Sequence, residues 1–152
     1  MVGMDGRIEG TGPRGSRHDY WGVVLEAPDA PALARFYAEL LGWRIASAEP
    51  GFATVGPPDG VAYLGFQTSR EYRPPVWPAD GGAAQQMMMH LDFEVSDLAA
   101  ALAHARRLGA RPATLQPQES VRVLLDPAGH PFCLYVDDTS GSSPGTAGTV
   151  TR

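Results

Sequence analysis

The chain contains no lysine: all twelve of its basic residues are arginines. A Schiff-base or pyridoxal-phosphate lysine and a P-loop lysine are therefore excluded, because each needs a side-chain amine. Basic charge is also in deficit, with 12 basic residues against 17 acidic ones and a net charge of -5. That balance argues against a nucleic-acid partner, whose phosphates need a basic face, and gives no attraction to an anionic membrane. Cysteine is nearly absent. The single Cys133 has no partner for an internal disulfide. No run approaches the roughly 20 apolar residues of a membrane span, and the first residues lack the basic-then-apolar pattern of a secretory leader. These absences lead to the expectation of a soluble cytoplasmic protein.

Glycine and proline, by contrast, are plentiful: 18 and 14 of 152 residues. Part of that excess falls at the two ends. Residues 1–18 and 138–152 hold too little apolar side chain to repay the entropy of ordering, and they read as flexible tails around one domain at 19–137. The length suits one compact domain with a real core.

Two similar halves lie within that domain, at about 20–67 and 87–137. The first opens Gly22-Val-Val-Leu-Glu-Ala-Pro-Asp29 and the second His90-Leu-Asp-Phe-Glu-Val-Ser-Asp97, 68 positions later. Each opening leads into a helical segment, Ala30 to Leu41 or Leu98 to Leu108, and each segment closes on Leu-Gly. Asp29 and Asp97 are the expected N-caps, with Gly42 and Gly109 as C-terminal glycines. Three short strand-like runs follow each helix: Trp43 to Ala48, Phe52 to Val55 and Val61 to Gln67, then Arg111 to Leu115, Val121 to Leu125 and Pro131 to Val136. The pattern predicts two βαβββ modules. Between them, Thr68 to Gln86 reads as a linker or a long covering loop.

Alternation within the strands separates two faces. Leu91, Phe93 and Val95 oppose His90, Asp92 and Glu94, and the first-half opening repeats the phase with Glu26 and Val24 on the second face. In the last strands Cys133 and Tyr135 oppose Phe132 and Leu134, as Tyr63, Gly65 and Gln67 oppose Leu64 and Phe66. A curved sheet with helices on one face and small, aromatic and polar groups on the other suits a small organic ligand.

The stretch Arg35-Phe-Tyr-Ala-Glu-Leu-Leu-Gly-Trp43, the doubled βαβββ pattern, His90-Leu-Asp-Phe and Leu125-Asp-Pro-Ala-Gly-His-Pro-Phe-Cys-Leu134 closely resemble the glyoxalase/bleomycin-resistance/extradiol-dioxygenase group, the vicinal oxygen chelate superfamily. More narrowly, they look like its glyoxalase-like subgroup of actinobacterial type. The resemblance implies an α+β fold in which the two modules form an incompletely closed β-barrel cup with helices outside. It also implies association as a homodimer.

In metal-binding members of the superfamily, ligands come from the first and last strands of each half. The corresponding positions are Gly22, Gly65, His90 and Cys133, and two glycines offer no ligand. Two ligands fall short of the three that a typical catalytic zinc site has, so the expectation is a cup without a metal cofactor. A divalent ion held through His90, with Glu94 or Glu26 substituting for the missing ligands, is the competing reading.

Individual residues carry alternatives. His90 reads either as a hydrogen-bonded polar residue or, with Glu94, as a catalytic acid-base pair. Cys133 is a small buried hydrophobe or a nucleophile. Arg122 inside the cup would hold a carboxylate or phosphate bidentately; on an exposed strand face it would do nothing. Glu26, Tyr63, Gln67, Asp92, Trp77 and Tyr135 are the remaining candidate walls for a ligand, with Trp77 either closing the cup from the linker or anchoring it. Met87-Met88-Met89 is expected to fill a packing gap, His130 to sit on a surface turn, and the Asp126-Pro-Ala-Gly turn only to reverse the chain. Three functions follow: a small-molecule-binding protein, a metal-dependent lyase, isomerase or dioxygenase, or a protein that sequesters a cationic drug.

Overall fold

The fold is given by a computed structural model that describes residues 21–137; the two expected tails lie outside the described residues. Each half is one βαβββ module. The first comprises β1 (Trp21–Ala27), α1 (Ala30–Leu41), β2 (Arg44–Glu49), β3 (Phe52–Gly56) and β4 (Ala62–Thr68). The second comprises β5 (Leu91–Glu94), α2 (Leu98–Arg107), β6 (Arg111–Pro112), β7 (Val121–Leu125) and β8 (Pro131–Tyr135). Strand orders are β1-β4-β3-β2 and β5-β8-β7-β6, so the two four-stranded sheets repeat one topology. In each, the opening strand pairs parallel with the last and the other neighbours run antiparallel. The architecture is α+β, and the sheets do not close into a barrel.

Local chemistry sets the helix ends where the sequence places them. Asp29 Oδ1 accepts from Ala32 N at 3.0 Å, and Asp97 Oδ1 accepts from Ala100 N at 2.9 Å. Gly42, at φ 67, ends α1 in the left-handed conformation that favours glycine. α1 buries Ala30, Leu33, Ala34, Phe36, Tyr37 and Ala38, the three-to-four spacing of one helical face. His104, Arg106 and Arg107 stand in the last turn of α2, where positive charge suits the helix dipole. His104 Nε2 also reaches the Glu39 carbonyl of α1 at 3.2 Å.

One core runs through both modules, and aromatic rings join them. Tyr37 on α1 stacks on Phe66 of β4 at 5.6 Å and meets Phe132 of β8 edge-on at 6.1 Å. Phe132 in turn meets Phe36 and Phe93. The Tyr37 hydroxyl donates to Asp126 Oδ2 at 2.7 Å, and both groups are fully buried. Asp126 Oδ1 accepts from Ala128 N and His130 N, which closes the turn before β8. The Asp126 turn therefore does more than reverse the chain: its carboxylate ties the second module to a helix of the first. The Met87-Met88-Met89 run also departs from expectation. Met88 and Met89 are 79% and 75% exposed, so they fill no gap in this core.

Candidate functional site

Register decides which side chains share the open faces, because directly paired residues lie on one side of a sheet. In the first sheet Gly22 pairs with Tyr63, Val24 with Gly65 and Glu26 with Gln67, while Phe52 pairs with Gln67 across β3 and β4. A Cβ on Gly22 would lie 2.5 Å from the Tyr63 ring, so that ring lies directly over the glycine. A Cβ on Gly65 would lie 3.0 Å from Phe52 Cζ and 3.1 Å from Val24 Cγ2. Rings thus cover both glycines and lay aromatic surface over this part of the wall, with Glu26 and Gln67 further along β1 and β4 and Thr54 beside Gly65. Phe52 was absent from the candidates drawn from sequence. Its signal was available, since a cross-strand glycine on an open face calls for a neighbouring ring.

In the second sheet Asp92 pairs with Cys133 and Glu94 with Tyr135, and His90 stands two residues before Asp92. His90 Nε2 lies 3.2 Å from Asp92 Oδ1. The ligand atoms of His90, Asp92 and Cys133 all fall within 4.8 Å of one another. Burial pushes the Cys133 thiol up to about 11, aided by the neighbouring Asp92 carboxylate. Such a thiol is a poor nucleophile at neutral pH. Alkylation by iodoacetamide is expected to be slow at pH 7.5 and to accelerate about tenfold per pH unit toward the thiol pKa. Complete labelling within minutes at pH 7.5 would contradict this environment.

Arg122 is not on this face. It pairs with Leu134, and Leu124 pairs with Phe132, so Arg122 belongs to the side that carries the core. Its Nη1 donates to the carbonyls of Gln118, Glu119 and Val121 at 3.2, 2.9 and 2.7 Å. The guanidinium thus holds the loop before β7 instead of an anion in the cup. Alternation alone could not show this, because Val121, Val123 and Leu125 on one side and Leu124 on the other are all apolar. Without Arg122, the charged residues on these faces of β1, β4, β5 and β8 are the acids Glu26, Asp92 and Glu94.

The segment between the modules forms a strap beside β1. The Tyr72 hydroxyl donates to the Ala128 carbonyl at 2.8 Å and lies 3.2 Å from His130 Nε2. His130 Nε2 donates to the Glu26 carbonyl at 2.6 Å, so this histidine is a structural link and not a surface turn residue. Strap and β1 enclose an open hollow of about 390 Å³ lined by Val24, Glu26, Tyr72, Arg73, the Met87 to Met89 run and His130. Tyr63 lines a separate hollow of about 560 Å³ at the other end of the first sheet, with Arg44, Thr54 and Pro57. Trp77 is half-buried and lines neither.

The four positions at which metal-binding members of the superfamily chelate their ion do not fit such an ion here. Two lack side chains and are covered by the rings of Tyr63 and Phe52, and among the described residues no His, Cys, Asp or Glu of β1 or β4 groups with His90 and Cys133.

Paired βαβββ modules with open faces define the class of fold, and the comparisons place the chain within it. The sequence profile of the Glyoxalase-like domain matches residues 22–135, and the chain belongs to that family. A glyoxalase/bleomycin resistance protein/dioxygenase family enzyme from Burkholderia phytofirmans shares the fold at TM-score 0.56 and 18% identity, over 76% of this chain and 95% of that one. A glyoxalase-related enzyme from Fulvimarina pelagi gives TM-score 0.56 and 18% identity over 83% and 96%. A glyoxalase/bleomycin resistance protein from Albidiferax ferrireducens gives 0.54 and 19% over 78% and 98%. Among curated proteins, nothing matches the chain. No helix among the described residues is long and apolar enough to cross a membrane.

Proposed function

We propose that this glyoxalase-like domain binds a small planar organic cation between the ring-covered wall of the first module and the acidic wall of the second. It does so without a metal site spanning both modules. The observation that carries this reading is the placement of Tyr63 over Gly22 and Phe52 over Gly65. It turns two chelating positions into apolar surface, against which a flat ligand gains dispersion and ring stacking. On the open phases of β1, β4, β5 and β8 the charged residues are Glu26, Asp92 and Glu94, which favours a positive group over a carboxylate, although Arg73 of the strap shares the hollow beside Glu26. This supports sequestration of a cationic compound over a metal-dependent lyase or dioxygenase reaction. It also leaves His90 and Glu94 as binding groups, not an acid-base pair.

The test is equilibrium binding of a matched pair of probes, 2-naphthylmethylammonium and 2-naphthoate, to the full chain. The cation is expected to bind at least about tenfold more tightly, and Phe52→Ala or Glu94→Gln to weaken it by about tenfold. Preference for the naphthoate, or a cation affinity indifferent to both substitutions, would overturn the reading.

A further inference from the structure

We propose that the hollow at the β2 edge of the first sheet is a second binding site, separate from the cup, for a small aromatic carboxylate held by Arg44. Three features meet there, and the first is a gap in the open face. Arg44 pairs with Gly56, and a Cβ on Gly56 would stand 4.0 Å from Tyr63 Cβ, so Tyr63, Gly56 and Arg44 follow one another across β4, β3 and β2 on one side of the sheet. With neighbouring strands about 4.8 Å apart, the glycine leaves a slot roughly 10 Å wide between the backbones that carry Tyr63 and Arg44. The second module carries a side chain in this place: Leu125 stands between Pro131 and Arg111.

The second feature is the bulge in β2. Residues three apart on a regular strand face opposite sides, yet Arg44 pairs with Gly56 and Ser47 with Thr54, two residues of β3 that share a phase. The register shift between Ile45 and Ser47 therefore turns both Arg44 and Ser47 to the open side. Ser47 Oγ and Thr54 Oγ1 lie 2.9 Å apart, which leaves one hydroxyl proton of the pair free to donate to a ligand. The third feature is charge. Arg44 is exposed, and among the described residues no hydrogen bond or ion pair engages its guanidinium. It is the one charged side chain, among the described residues, that lines this hollow of about 560 Å³, whose walls include Ile45, Val55, Pro57, Pro58 and Tyr63. An apolar lining with a guanidinium at one edge suits a flat ring bearing a carboxylate: the ring lies against Tyr63 and the prolines, and the fork of Arg44 meets both oxygens. The acids of the cup repel that same group, so the two sites select opposite charges.

The test titrates the full chain with 2-naphthoate and follows its amide chemical shifts. The largest shifts are expected at residues 44–47, 54–60 and 63, with weaker binding than the cation shows in the cup, because one module alone walls the hollow. Arg44→Gln is expected to weaken the carboxylate at least about tenfold with an unchanged melting temperature, since the side chain is exposed. Gly56→Leu puts the second module's residue into the slot and is expected to abolish binding. A Cβ at Gly56 meets its neighbours at 3.9 and 4.0 Å, ordinary contact distances, so the fold accommodates it. Absence of naphthoate binding, shifts centred outside this hollow, or an affinity unchanged by either substitution would overturn the proposal. Arg44→Gln is expected to leave the affinity for 2-naphthylmethylammonium unchanged, so failure of this site and failure of the cup reading are told apart.

Discussion

Phe132→Ala is expected to lower the unfolding free energy by about 3 to 5 kcal/mol, the usual cost of emptying a fully buried phenylalanine site. Phe132 is completely buried, and its ring contacts Phe36 and Tyr37 from α1 and Phe93 from β5. Removing it opens a void where the two modules share their core. The neighbours cannot readily collapse into that space, because the rings are held by different elements. Urea unfolding followed by tryptophan fluorescence and by far-ultraviolet circular dichroism measures the loss. A cost below about 1 kcal/mol would mean that the modules do not depend on this ring cluster.

Asp126→Ala is expected to be the next most damaging substitution, at roughly 2 to 4 kcal/mol. The carboxylate accepts the Tyr37 hydroxyl and the backbone N–H groups of Ala128 and His130. Alanine would leave a fully buried phenol without an acceptor and the turn before β8 without its closure. The pH dependence of this cost has a definite sign. Burial raises the Asp126 carboxyl above its usual range, although the His130 charge and the three hydrogen bonds pull the other way. A folded-state pKa above the unfolded one means that the folded chain holds this proton more tightly. The resulting stability is fully present below the ordinary carboxyl value of about 4 and is lost as the pH rises through the folded value. The gap between wild type and Asp126→Ala should therefore be largest near pH 4 and narrow toward neutrality. A gap that widened with pH would show instead that the carboxylate is held below its usual range. Burial, then the Asp126 charge and hydrogen bond, pushes Tyr37 upward too, so it keeps its proton at any pH used for this comparison.

Much of the fold was legible because its signals are local or repeated. The Asp caps and Leu-Gly closures mark both helices, and the recurrence of the opening after 68 positions gives the second module from the first. Only the extents of the elements shifted, and α2 ends one residue early, at Arg107. β6 is two residues long instead of five, and His90 stands just ahead of β5. The site was less legible because it depends on pairing between distant strands. The sequence places Glu26, Asp92, Glu94, Tyr63, Gln67, Cys133 and Tyr135 on the open phases, and the registers agree. Arg122 lies on the opposite side, since a strand that is apolar on both phases does not declare which one meets the core. Strand phase alone marks neither Phe52 nor Asp126: one matters through a glycine on the next strand, the other through a tyrosine 89 residues earlier.

The central claim is that an organic cation lies against the ring-covered wall of the first module and the acidic wall of the second. Amide chemical-shift mapping of the full chain, titrated with 2-naphthylmethylammonium, tests it most directly. The account predicts that the largest shifts fall on β1 and β4 around Gly22 and Gly65 and on β5 and β8 around Asp92 and Cys133. Shifts confined to the hollow around Arg44 and Pro57, or to the α1 and α2 surfaces, would contradict it.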